Sequence, residues 1–174
     1  MTTFRLLILI TLLNFAGKNS IAQTLKTYKD AANHFEITIP ATWLVTKSNP
    51  KLKFIAIRPQ SADFKSVPEN INLNFIDAPN ASLDDAYSMS IESNRSLDGF
   101  LAVTRKGKAA DNRYKWYVDT HKDPQTEIVM ATIVFVYYQQ QKAVLLTCTA
   151  SKESFEKFNP VFFKIADSLK LQLK

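Results

Sequence analysis

Glycine is scarce in this chain: three residues in 174, at positions 17, 99 and 107. A serine-class hydrolase sets its nucleophile on a strained turn, and phosphate and dinucleotide loops bring bare backbone to the ligand. Glycine is the usual means to both. With so few, no nucleophile elbow, phosphate-cradling loop or dinucleotide fingerprint can be traced. Cysteine is scarcer still. Cys148 stands alone, so no intramolecular disulfide forms and stability rests on the core. Its place in the alternation Val144, Leu146, Cys148, Ala150 reads as a small buried apolar residue rather than a reactive thiol. Long apolar runs are missing too. Leu6–Leu13 ends by Ala16 and Lys18 follows, short of the ~20 residues that span a bilayer.

What is there begins with that run. Arg5 before it and Ser20, Ile21, Ala22 after it read as a secretory signal peptide over residues 1–22, cleaved after Ala22, with no cysteine at the cut to make a lipoprotein. The expected location is periplasmic or secreted. The 174 residues less 22 are 152, residues 23–174, enough for a single domain with one sizeable core. Loss of Arg5 and Lys18 takes the formal charge from +6 to +4. So mild an excess on an exported chain argues against nucleic acid and for solubility or weak contact with an anionic membrane surface.

The chain is organised around Glu127–Ser151, where two apolar runs flank the polar turn Gln139–Lys142. Ile128, Met130, Val134 and Val136 fall on one face of the first run, and Val129, Ile133, Phe135 and Tyr137 on the other. A strand apolar on both sides must be covered on both sides, which places this hairpin in the middle of a sheet between packed layers. Phe35, Ile37 and Ile39 alternate up to Pro40 as an edge or near-edge strand with one wet face, after a polar lead-in. Leu52–Ile57 and the alternation Ile71, Leu73, Phe75 give further strands, and Gln60–Asn70 reads as a surface loop. Ser82 and Asp85 form a capping box that opens a helix whose buried face holds Leu83, Ala86, Tyr87, Ile91 and Leu97, closed by Asp98 and Gly99. Phe100–Arg105 and Tyr114–Thr120 pair across a loop containing Lys106, Gly107 and Lys108, and His121–Pro124 turns into the hairpin. Ser151 caps a short helix with Phe155 and Phe158, and Asn159 and Pro160 restart it to carry Phe162, Ile165, Ala166 and Leu169 over the hairpin.

The opening Phe35, Ile37, Ile39, Pro40 and Trp43, the helix Ser82–Leu97 between strands, and the closing Phe155, Phe158, Ile165, Ser168 and Leu169 resemble the PsbP-like superfamily. That superfamily also holds the bacterial DcrB-like proteins and Ran-binding nuclear-transport relatives. The resemblance covers nearly all of residues 23–174 and implies an α+β fold: a central antiparallel sheet flanked by helices in an α/β/α sandwich. It implies accessory, assembly or binding proteins without catalytic machinery, some similar to subunits that retain ions at a membrane complex and some to chaperones for hydrophobic helices. It carries no binding residues onto this chain.

Three groups are candidates for chemistry. Asp119, His121 and Asp123 sit at alternate positions, and in an extended chain would share a face able to hold a divalent metal; a polar strand end is the plainer reading. Trp43, Tyr114, Trp116 and Tyr117 would line a ligand cleft or simply pack. Arg105, Lys106, Lys108, Arg113 and Lys115, set against one acid, Asp111, would contact an anion or lipid headgroup, or form a solvated hairpin tip. The expected protein is an exported, non-enzymatic accessory or binding module with no cofactor, acting on a protein partner or small ligand of the envelope. The alternatives are a metal-assisted hydrolase of envelope material using Asp119 and His121, and a chaperone-like or immunity-like protein that sequesters one partner.

Overall fold

The computed structural model describes residues 24–46, 49–60, 67–124 and 126–173; the leader expected at residues 1–22 lies outside them. The central hairpin is present as β8 (Val129–Gln139) and β9 (Lys142–Ser151), paired from Met130 opposite Ser151 to Gln139 opposite Lys142. Between them Gln140 and Gln141 take φ of 51° and 58°. Such a two-residue turn matches the strands' twist, though here without the Asn or Gly that adopts it most cheaply.

Five more strands complete an antiparallel sheet: β3 (Leu44–Thr46), β4 (Phe54–Ile57), β5 (Asn70–Asp77), β6 (Phe100–Lys108) and β7 (Lys115–Lys122). Their order is β3-β4-β5-β9-β8-β7-β6, with the hairpin inside, as its two apolar faces require. The helix α1 (Leu83–Arg95) covers one face and α2 (Lys152–Ser168) the other, giving the expected α+β sandwich. The outer strand β6 slips register twice against β7, at Leu101 and at Thr104. Its Lys106, Gly107 and Lys108 lie in the strand, not in the loop expected there, because the turn falls later, where Asn112 takes φ of 58°.

Residues Phe155, Phe158, Phe162, Ile165 and Ala166 of α2 join Ile133, Phe135, Leu146 and Cys148 in the larger core. Each buried phenylalanine there stabilises the fold by about 1.5–3 kcal/mol. The α2 helix is continuous, not two pieces. Pro160 and Glu156, the residue whose carbonyl it cannot reach, both lie on the exposed side, where water takes the freed acceptor. Of the edge or near-edge position expected for Phe35–Pro40, it is the near-edge one that is found. This strand, β2, runs between β1 (Leu25–Asp30) and β10 (Lys170–Leu171) in a second, three-stranded sheet, and sends Phe35, Ile37 and Ile39 into the larger core. β1 gave no apolar alternation because most of it is exposed.

The capping box of α1 forms as its spacing predicts. Asp85 N–H donates to Ser82 Oγ at 3.1 Å and Ser82 N–H to Asp85 Oδ2 at 2.8 Å. Leu97, expected on its buried face, is 61% exposed, because the helix ends at Arg95 and Ser96 caps it. Gly99 then turns the chain at φ +81°, where a Cβ would stand 2.2 Å from the carbonyl oxygen of Lys122.

Candidate functional site

Strand alternation sorts β7. Trp116 and Val118 belong to the side of α2, and Tyr117, Asp119 and His121 to the side of α1. Cross-strand register extends the second set into rows. Asp119 lies beside Thr132, Thr149 and Asn70 in turn, and Tyr117 beside Val134, Thr147 and Asn72. The helix α1 crosses above and lowers Ser90 and Asn94, one turn apart, toward those rows.

Asn94 Nδ2 donates to Asp119 Oδ2 at 2.8 Å. The Asp119 side chain is only 4% exposed, and its Oδ1 stands 3.6 Å from Nδ1 of His121, which is 34% exposed. The imidazole offers Asp119 a charged partner only when protonated. Tyr117 is fully buried, exchanges a hydrogen bond of 2.9 Å with Ser90 Oγ and donates to the Ser90 carbonyl at 3.1 Å; burial pushes its phenol well above the usual range. The hydroxyls of Thr132 and Thr149 pair at 3.0 Å.

Ser90, Asn94, Asp119, His121, Thr132 and Thr149 floor a pocket of about 210 Å³, walled by Leu97, Phe100, Val134 and Leu145 and reached by Asp98. Five polar residues are buried among the described ones, and three of them, Ser90, Asp119 and Thr132, line it. Buried polar groups are uncommon because desolvation is costly, so their concentration marks this place. A second hollow of about 200 Å³, mostly apolar, adjoins it through Ser90, Asn94 and Leu145 and opens beside Ile76 and Met89.

The structure brings Asp119 and His121 together and leaves Asp123 out. The strand ends at Lys122, and Asp123 Oδ1 accepts from Thr126 N–H at 2.7 Å and from its hydroxyl at 2.9 Å, which commits it to the turn. Among the described residues no three His, Cys, Asp or Glu side chains are grouped to hold a metal. The four aromatics do not share a cleft. Trp43 is fully buried in the larger core, its indole N–H without a partner among the described residues. Trp116 packs on Phe163 on the side of α2, opposite Tyr117. Tyr114 is buried and donates to Asp167 Oδ1 at 2.9 Å; burial, with that carboxylate, pushes its phenol up to about 12.

The five basic residues are also dispersed. Arg105 is bound by Glu156 at 2.8 Å, Arg113 by Asp167 at 2.6 Å, and Lys115 by Asp84, while Lys106 and Lys108 are exposed on β6. Local acids thus neutralise three of the five. Sequence reasoning missed Ser90, Asn94, Asp98, Thr132 and Thr149 as site residues. A signal existed: Thr132, Thr147 and Thr149 interrupt the hairpin's apolar pattern on one face only.

No protein-family model matches the sequence, and no curated protein matches it. Solved structures do. The chain is similar to the solution structure of cyanobacterial PsbP (CyanoP) from Synechocystis sp. PCC 6803, with a TM-score of 0.54 and 14% identity over 91% of this chain and 98% of that one. It is similar to the Ran-binding protein Mog1p of Saccharomyces cerevisiae, with a TM-score of 0.65 and 8% identity over 86% of this chain and 96% of that one. LpqN of Mycobacterium tuberculosis, involved in cell envelope biogenesis, gives 0.58 and 11% over 86% and 91%. The fold is PsbP-like, and at these identities the likeness is one of fold.

Proposed function

We propose that the chain is an exported accessory protein that binds, rather than transforms, a small ligand or a segment of a protein partner on the α1 side of its sheet. The observation that carries this reading is the pocket in which Ser90, Asp119 and Thr132 are buried together. A face packed with apolar side chains would be more stable, and proteins commonly keep such costly polar groups where they function. The leader over residues 1–22 supports export to the periplasm or beyond. Among the described residues no helix is long and apolar enough to cross a membrane. Mog1p binds Ran and LpqN is involved in envelope biogenesis, which lends support to a role exerted through a partner.

Affinity capture of the tagged protein from its own envelope extract, with metals and small molecules assayed on the same sample, tests the reading. A stoichiometric partner or retained ligand, lost on changing Asn94 or Asp119, is expected. A reproducible hydrolytic or transfer activity abolished by one pocket substitution would overturn it.

Two rivals draw on particular observations. A metal-assisted hydrolase would use Asp119 and His121, which stand 3.6 Å apart, but it needs another donor now that Asp123 serves the turn. Heat above dilution on titration with zinc, manganese or calcium would favour it. A sequestering, chaperone-like protein would use the apolar hollow beside Met89, which is 62% exposed.

A further inference from the structure

We infer that the Asp119 pocket is suited to a primary ammonium carried on a short aliphatic stem. This rests on the pocket being a ligand site and adds the chemistry of its ligand.

The first argument is sign. The chain carries 22 lysines and arginines, yet none lines the pocket, while Asp98 and Asp119 both do. A cavity of one charge, partly walled from water, favours the opposite charge and repels its own.

The second is the state of Asp119. Its Oδ2 accepts one hydrogen bond, from the neutral Asn94 amide, and among the described residues its Oδ1 accepts none, with His121 Nδ1 held at 3.6 Å. Carboxylates this deeply buried normally have a cationic partner with good geometry. Among the described residues Asp119 has only the imidazole of His121, at 3.6 Å, as a basic neighbour, and it lines the cavity.

The third is the floor. Two hydroxyls hold two protons and four lone pairs, and the bond between Thr132 and Thr149 uses one of each. One proton and three lone pairs remain, so this threonine pair offers more acceptors than donors. An ammonium has three donors and no acceptor, which is the complement.

The last is shape. Leu97, Phe100, Val134 and Leu145 offer an apolar wall for a stem, and about 210 Å³ is less than the ~300–1,000 Å³ that holds a drug-sized molecule. A head group with a few methylenes fits. Such a group comes from a free alkylamine or from a lysine side chain of a bound peptide.

The test uses the purified protein, titrated separately with n-butylamine hydrochloride, 1-butanol, sodium butyrate and N-acetyl-lysine N-methylamide. Backbone amide shifts at Asp119, His121, Thr132 and Thr149 report binding. Butylamine is expected to saturate these shifts about tenfold or more tightly than butanol, and butyrate to leave them unmoved. Asp119→Asn should weaken butylamine by at least about tenfold and leave butanol unchanged. If that variant does not fold, the butylamine and butanol comparison answers the same question on the unaltered chain. Saturation by the lysine amide at equal or greater affinity assigns the source to a peptide, and butylamine alone assigns it to a free amine. Butanol binding as well as butylamine, or butyrate binding at all, overturns the ammonium while leaving a ligand pocket. Silence from all four overturns the inference, and a partner retained on affinity capture would still uphold the accessory role.

Discussion

The two faces of the seven-stranded sheet share every backbone hydrogen bond and almost nothing else. On the side of α2, Ile71, Leu73, Ile133, Phe135, Val144, Leu146, Cys148 and Ala150 meet three buried phenylalanines of the helix and the apolar side of β2. On the side of α1, the same strands present Asp119, Thr132, Thr149 and Asn70 in one row, with apolar residues gathered around Tyr117, Val134, Val136 and Ala143 beneath the helix. Because side chains alternate, one ladder supports a dry face that holds the molecule together and a mixed face that carries buried polar groups. Substitutions at neighbouring positions of one strand should therefore fall into two classes.

The largest effect should come from the dry face. Phe162→Ala, at a fully buried site on α2, is expected to cost about 3–5 kcal/mol in urea unfolding. Glu69, just before β5, pairs with Arg58 at the end of β4 and accepts from Ser154 Oγ of α2 at 2.9 Å. Glu69→Ala should cost about 3 kcal/mol, at the low end for a buried pair because Arg58 is 28% exposed. Across the sheet, Ile91→Ala on α1 should cost only about 2 kcal/mol, since fewer large side chains surround it; a loss equal to that of Phe162→Ala would erase the distinction between the faces. Smaller again, Tyr117→Phe strands Ser90 and should cost about 1 kcal/mol, read by the same unfolding curves.

The smallest effect concerns acid. The hydrogen bonds from the Ser82 side chain and backbone hold the Asp85 carboxyl below its ordinary value. That contribution is full above the unfolded carboxylate value and is lost as pH falls through the lower folded one. The N-cap of α2 is the hydroxyl of Ser151, which does not titrate there. The protection factors for hydrogen exchange at Asp85 and Ala86, measured against the intrinsic rate at each pH, should therefore fall on acidification before those of the amides around Phe162 do.

Much of this was legible because it is a matter of spacing. The parity of Ile133 and Phe135 against Val134 and Val136 placed the hairpin inside the sheet, and Ser82 with Asp85 marked the start of α1. Parity also separates Trp116 from Tyr117, which is why they cannot line one cleft. Spacing failed where the chain bends or crosses. Asp119, His121 and Asp123 alternate only as far as the strand runs, and it ends at Lys122. The bond of Asn94 to Asp119 exists because α1 crosses β7 at one place, a fact of packing that no local pattern carries. Pro160 reads as a break, and only the exposure of its side of the helix shows why it is none.

The double slip of β6 against β7 bears on how the molecule meets others of its kind. A strand on the rim of a sheet offers unmet amides and carbonyls to any passing chain, and a flat one is a template for endless stacking. This rim is kinked twice and studded with Arg105, Lys106 and Lys108, and the opposite rim, β3, is three residues long. Neither accepts another strand readily. Growth of the seven-stranded sheet by addition of a further strand is thus disfavoured at both of its rims.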